Sequence, residues 1–188
     1  MHNNVVDALC NAALQEGLAA LRFNFRGVGS SSGSHTGGDG EREDVLAALS
    51  TAAEVTGSDK NMPIGLAGYS FGASMAASVL GNSAQRPLAA VLVSPPMSTL
   101  AAKLPRIDDD PESGPGAAAS LPPLLLITGD SDHVCPAAEL EAFAKRIKPA
   151  PNCVVIAGAD HSWFGHEAEL RDATSAFLRW HLTPGPAV

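Results

Sequence analysis

Five short apolar runs, set apart by stretches of helical periodicity, constrain this chain more than any other feature. They are Leu18–Phe25, Pro63–Ala67, Leu88–Val93, Pro122–Thr128 and Cys153–Ala157. Near-continuous apolar runs of this kind suit strands covered on both faces. The segments between them read as helices. Asn3–Gly17 carries Val5, Val6, Leu9, Ala13 and Leu14 at three-to-four spacing, with Gly17 as its stop signal. Glu41–Val55 carries Val45, Leu46 and Leu49, and Ser70–Leu80 is dense in small residues that suit close packing under a sheet. Pro136–Ile147 opens on a proline, where a missing N–H costs nothing. Glu167–His181 is amphipathic, with Leu170, Phe177 and Leu178 expected to face inward. Strand and helix alternate throughout, so the expected fold class is α/β: a mostly parallel sheet with helices on both faces. At 188 residues the chain fits a single domain spanning 1–188.

Composition removes several function classes. The formal net charge is -8 and the 12 basic residues are scattered, which argues against nucleic acid, whose phosphates need clustered Lys and Arg. No apolar run approaches the length that spans a bilayer, so no membrane partner is expected. The N-terminus shows no basic region leading into an apolar stretch, so no signal peptide is expected. Cys10, Cys135 and Cys153 are odd in number and lack CxxC spacing, which argues for reduced thiols in the cytoplasm and against a zinc ribbon. Arg26–Gly40 and Met97–Ser120 read as loops, the second a surface excursion with room for one helical turn. Its Asp108–Asp110 cluster lacks the Gly and Glu of a calcium loop and reads as a solvated turn. The glycines after Arg26 lack the Lys of a phosphate-binding loop. His161 and His166 have no acidic partner suitably placed for a metal, so none is expected.

Chemistry concentrates at Gly68-Tyr69-Ser70-Phe71-Gly72. It fits G-x-S-x-G and stands between an expected strand and an expected helix, the context of a nucleophile elbow. The helix N-terminus behind Ser70 offers free N–H groups to a developing anion, that of Phe71 first. A serine hydroxyl needs a base, and the base needs an orienting acid. Two later loops can supply them. Gly129–Pro136 holds Asp130, Asp132 and His133, and Gly158–Ser162 holds Asp160 and His161. Each follows a strand and opens at the sheet edge where Ser70 stands, the edge at which ligands bind in open α/β sheets.

With these three motifs the chain resembles the α/β-hydrolase superfamily, in particular its small bacterial esterase-like serine hydrolases with little lid. The stretch Arg22–Gly29 with Ser31 and Gly33, and Gly40–Asp44 after it, resemble the family's strand, loop and next helix beside the active site. The resemblance covers nearly the whole chain. It implies a Ser70–His161–Asp132 triad, with Asp130 as the alternative acid. It implies Phe71 as an oxyanion donor and no cofactor. Tyr69, Arg26 and Trp163 are the expected substrate contacts, with a core role for Trp163 as the other reading. The implied reaction is hydrolysis of a small-molecule carboxylic ester, of short acyl chain given so short an excursion after Met97, through an acyl-serine. A peptidase or thioesterase would share the same residues.

One departure matters. The family has further strands before the helix at Asn3, and the loop after the last of them supplies a second oxyanion N–H. This sequence begins after that point, so the expectation is an α/β-hydrolase fold lacking its N-terminal strands, or a shortened form of a longer chain. Leu18–Phe25 and Pro63–Ala67 would then pair directly in a reduced sheet of about five strands. Loss of one oxyanion donor costs about 3 kcal/mol of transition-state stabilisation. The Arg26–Ser32 loop is the candidate replacement. The same departure motivates a rival reading, a non-catalytic ligand- or partner-binding protein. It also leaves an edge where a second copy can pair to give a homodimer.

Overall fold

Alternation along the buried strands divides the core into two layers. The computed structural model describes residues 3–55, 62–80, 87–104 and 121–183. Within them β1 (Gly65–Tyr69), β2 (Ala89–Val93), β3 (Leu124–Gly129) and β4 (Asn152–Ile156) form a parallel sheet in the order β1-β2-β3-β4. Leu92 stands opposite both Gly68 and Leu126, and Ile127 opposite Val154. Ala90, Leu92, Leu124 and Leu126 face one layer, made by α3 (Phe71–Leu80), α4 (Met97–Lys103) and α5 (Ala137–Ala144). Val91, Val93, Leu125 and Ile127 face the other, made by α1 (Asn4–Gln15) and α6 (Glu167–Leu182). Every residue of β2 and β3 is buried, and each Leu, Ile or Val so covered contributes about 1.5–3 kcal/mol. α2 (Asp39–Val55) packs on α3 through Val45, Leu49, Met75 and Val79. The fold class is therefore α/β with helices on both faces of a parallel sheet, as the alternation predicts.

Several local expectations are corrected. Leu18–Phe25 has strand composition but joins no ladder, so the sheet of the described residues has four strands rather than about five. The segment is tied down by other means. Arg22 pairs with Asp7, Arg26 pairs with Asp44, and Phe25 packs against the α2–α3 cluster, while Leu21 and Phe23 stay exposed. In α1 the buried stripe is Val5, Ala8, Leu9 and Ala12, and Leu14 is exposed. Small alanines let the helix approach the sheet and α6 closely, which turns Leu14 outward. Asn3 caps this helix by accepting from the N–H groups of Val5 and Val6, and Gly17 ends the turn behind it at φ +73°. Met97–Lys103 is a helix of its own, anchored by fully buried Leu100. Asp108–Asp110 lie outside the described residues.

A buried carboxylate holds the loop before α2 in place. Glu41 has no exposed surface, and its side chain accepts from the Thr36 N–H and hydroxyl and from the Gly38 N–H at 2.8–2.9 Å. His35 Nδ1, on an exposed side chain, lies 2.8 Å from the same carboxylate. Burial by itself would raise the Glu41 carboxyl, but the hydrogen bonds from Thr36 and Gly38 outweigh it and bring it down to about 2. A carboxyl lowered on folding stabilises the fold above its unfolded value, near 4.3, and loses that contribution as pH falls towards 2. Glu41→Gln should therefore lower the thermal midpoint at pH 7 and flatten its dependence between pH 5 and 2. Some slope should remain, because hydrogen bonds from Arg179 and Ser175 also bring Glu16 down to about 2. Thermal unfolding across that range, with an unchanged slope in the variant, would refute the assignment.

Candidate active site

The parallel sheet brings the ends of β1, β3 and β4 to one edge, and the side chains that follow them meet. Ser70 follows β1 and adopts φ +51°, a left-handed conformation that a serine takes only under constraint. Its N–H donates to the Val93 carbonyl, and its own carbonyl accepts from Ala73 and Ser74 at the start of α3. The turn is possible because Gly68 has no side chain: a Cβ there would meet the Gly72 carbonyl and stand 2.7 Å from the Ala73 nitrogen. Ser70 Oγ lies 3.0 Å from His161 Nε2. His161 Nδ1 lies 3.0 and 3.1 Å from the two carboxylate oxygens of Asp132. Phe71 opens α3, so its N–H stands outside the helical ladder beside Ser70.

Asp132 rather than Asp130 faces His161. The Asp132 side chain is fully buried, and its Oδ1 accepts from the N–H groups of Val134 and Cys135 at 2.8 and 2.9 Å. Burial alone would raise this carboxyl, but hydrogen bonds from Ser94, Cys135, His161 and Val134 outweigh it and hold it below its ordinary value. Asp130 instead accepts from the Gly158 N–H at 2.8 Å, which links the two loops.

The other expected contacts have different places. The Tyr69 hydroxyl donates to the His161 carbonyl at 2.6 Å, so it fixes the backbone of the histidine. Trp163 is fully buried at φ +62°, with its indole N–H donating to Ser94 Oγ at 2.9 Å. It is a core residue rather than a pocket wall, because the left-handed turn carries its ring inward. Exposed Phe164 takes the outer position. Arg26 gives both its backbone N–H and its guanidinium to Asp44. Within the loop proposed as a second oxyanion donor, Gly27, Val28 and Ser31 donate their N–H groups to Ser32, Phe25 and Val28. Cys135 is buried, and its thiol is pushed up to about 12, chiefly by desolvation, which leaves it unreactive. The residue that sequence reasoning missed is Ser94, a lone polar group closing the apolar run of β2.

Comparison with known proteins identifies the family. The alpha/beta hydrolase domain family matches residues 1–177. The chain belongs to the alpha/beta hydrolase family. An alpha-beta serine hydrolase homologue from Coxiella burnetii is 34% identical, with a TM-score of 0.79 over 95% of this chain and 77% of that one. A lidless a/b serine hydrolase from Xanthomonas campestris is 26% identical, with a TM-score of 0.77 over 98% and 77% of the two chains. An esterase from Pyrococcus furiosus is 25% identical, with a TM-score of 0.72 over 96% and 78%. Family and neighbours together assign this alpha/beta hydrolase to the hydrolases. No helix among its described residues is long and apolar enough to cross a membrane.

Proposed function

We propose that this protein is a serine carboxylesterase acting on small or short-chain acyl esters through an acyl-serine. The observation that carries the reading is the unbroken chain from Ser70 Oγ through His161 to buried Asp132, with both links near 3.0 Å. Asp132 holds the proton of His161 on Nδ1, which leaves the Nε2 lone pair facing Ser70. As Ser70 attacks the ester carbonyl, Nε2 takes its proton, and Asp132 stabilises the imidazolium. The Phe71 N–H and the dipole of α3 meet the oxyanion. Protonated His161 then gives its proton to the leaving alcohol. Water, activated by the same nitrogen, releases the acid and restores Ser70. The likeness to a hydrolase without a lid supports small substrates.

A fluorophosphonate should label the folded protein at Ser70 alone, and a folded chain that stays unlabelled would sink the proposal. The two acidic candidates separate by substitution. Asp132→Asn should lower kcat by about 10⁴-fold, because it favours the wrong histidine tautomer. Asp130→Asn keeps an acceptor for Gly158 and should change kcat less than about threefold, since neutral and charged acceptors at exposed sites differ little. Steady-state rates on a chromogenic short-chain ester report both.

A further inference from the structure

We propose that Tyr69 is a positioning residue for the catalytic base: its hydroxyl keeps His161 in register, above all while Ser70 is acylated and can no longer hold it. The inference rests on the esterase reading of this site and concerns one step of that cycle.

His161 stands in a segment with no regular structure to fix it. Residues 157–166 link β4 to α6, and three of them, Gly158, Trp163 and Gly165, take positive φ. The imidazole is 28% exposed, so packing alone does not hold it. Its place is set by hydrogen bonds. Nδ1 faces the Asp132 carboxylate, and Nε2 faces Ser70 Oγ at 3.0 Å. The backbone behind the ring is held from two sides. The Tyr69 hydroxyl lies 2.6 Å from the His161 carbonyl oxygen, and Asn4 Nδ2 lies 2.9 Å from the next carbonyl, that of Ser162. A carbonyl only accepts, so the tyrosine hydroxyl must donate to it. Burial, with the charges of Asp132 and Asp160 adding to it, pushes the phenol up, which keeps that proton in place.

The two anchors differ in what they connect. Asn4 opens α1 and ties the loop to a helix that carries no reacting group. Tyr69 ends β1 and is the residue immediately before Ser70. Its ring lies beside the imidazole, with centroids 5.4 Å apart and planes tilted by 35°. The turn of the nucleophile and the base are therefore joined twice, by Ser70 Oγ and by the Tyr69 hydroxyl.

These two links do not last equally long through the reaction. In acylation Oγ bonds to the acyl carbon, and its proton leaves with the alcohol through Nε2. Oγ is then an ester oxygen with no proton to give, and the first link is gone. The Tyr69 hydroxyl takes no part in the chemistry, so the second link persists. In deacylation Nε2 takes a proton from water as the water oxygen attacks the acyl carbon. It returns that proton to Oγ as the bond from Oγ to the acyl carbon breaks. The base must be aimed for this step without help from Ser70. Asp132 holds the ring, and Tyr69 holds the backbone that carries it.

Tyr69→Phe removes one oxygen and keeps the ring. With a nitrophenyl ester, whose good leaving group makes acylation fast, stopped-flow absorbance separates the burst of nitrophenol from the steady rate. In the variant deacylation should slow roughly three- to tenfold, the range for loss of one hydrogen bond, while acylation changes less than about twofold. kcat and KM should then fall together and leave kcat/KM near its parental value, because kcat/KM reports only the steps up to acylation. Asn4→Ala frees the same loop at the next carbonyl and should leave the balance of the two steps within about twofold of the parent. Equal slowing of both steps in Tyr69→Phe, slowing of neither, or the same build-up of acyl-enzyme in Asn4→Ala would overturn the proposal.

A readout independent of turnover keeps this proposal and the esterase reading apart. The Cε1–H resonance of His161, assigned by its loss in His161→Ala, should broaden in Tyr69→Phe as the ring samples further orientations. That broadening in a protein that hydrolyses no ester and takes no phosphonate would keep the tether and sink the esterase. A working esterase whose His161 resonance is unchanged in Tyr69→Phe would do the reverse.

Discussion

Replacing Ser70 with alanine should reduce kcat for a short-chain chromogenic ester by 10⁴-fold or more, with losses on the order of 10⁶ where a nucleophile acts as one unit with its base. The substitution removes only Oγ, whose partner is His161. The backbone bonds from the Ser70 N–H to Val93 and from Ala73 and Ser74 to the Ser70 carbonyl do not involve that atom. The turn should therefore survive, and the loss can be read as chemistry. Ser70→Gly sharpens the test. It is equally without a nucleophile, yet it relieves the strain of φ +51°, which costs about 1 kcal/mol or more in a non-glycine residue. Ser70→Gly should thus be inactive and more stable than the parent in thermal unfolding, with the difference marking what the fold gives up to aim the hydroxyl. Ester hydrolysis by Ser70→Ala within a hundredfold of the parent would remove Ser70 from the mechanism. No hydrolysis by the folded parent would point to the oxyanion site, where the loop after Arg26 gives several of its N–H groups to itself.

What the sequence made legible was set by local signals that the tertiary structure obeys. β2 and β3 were readable because strands covered on both faces must be apolar throughout, and their alternate residues do feed two separate cores. Ser70, Asp132 and His161 could be picked out because each follows such a run at the same edge. Leu18–Phe25 was misread for the opposite reason. Its composition suits a strand, but a strand exists through its ladder, and the partner is not encoded in the segment itself. In α1 the alanines at positions 8 and 12 carry little hydrophobic signal, yet their small size is what fits the interface, while the larger Leu14 is left outside. For Trp163 the sequence leaves pocket and core both open beside His161, because nothing in the amino acid itself announces φ +62°. Ser94 did leave a trace, a single hydroxyl ending an apolar strand before two prolines, but its partner lies far away at position 163.

Gly129→Ala should be the most damaging single methyl that can be added near the site. Gly129 ends β3, directly before the loop of Asp132, and the chain of Ala159 crosses over it just before His161. A Cβ at position 129 would fall on the Ala159 carbonyl and stand 2.7 Å from the Ala159 Cβ. The obstacle is backbone on a fully buried residue, so no flexible side chain can swing aside. That carbonyl also accepts from the Ser131 N–H, while the Asp130 N–H donates to Ile156, so moving either loop breaks the bonds that join them. Overpacking of this kind costs about 3 kcal/mol, a large share of the 5–15 kcal/mol that holds a typical domain folded. The expected result is a thermal midpoint lower by roughly 6–12 °C for a chain of this size. In the fraction that stays folded, kcat should fall because Asp132 and His161 are forced apart, while KM changes less. Gly165→Ala provides the control. Gly165, unlike Gly129, has a positive φ and lies in the loop after His161, but a Cβ there meets nothing within 4 Å. Its cost should be limited to backbone strain, about 1 kcal/mol. Equal destabilisation by the two substitutions would show that the close crossing of these loops is not what holds the acid and the base together.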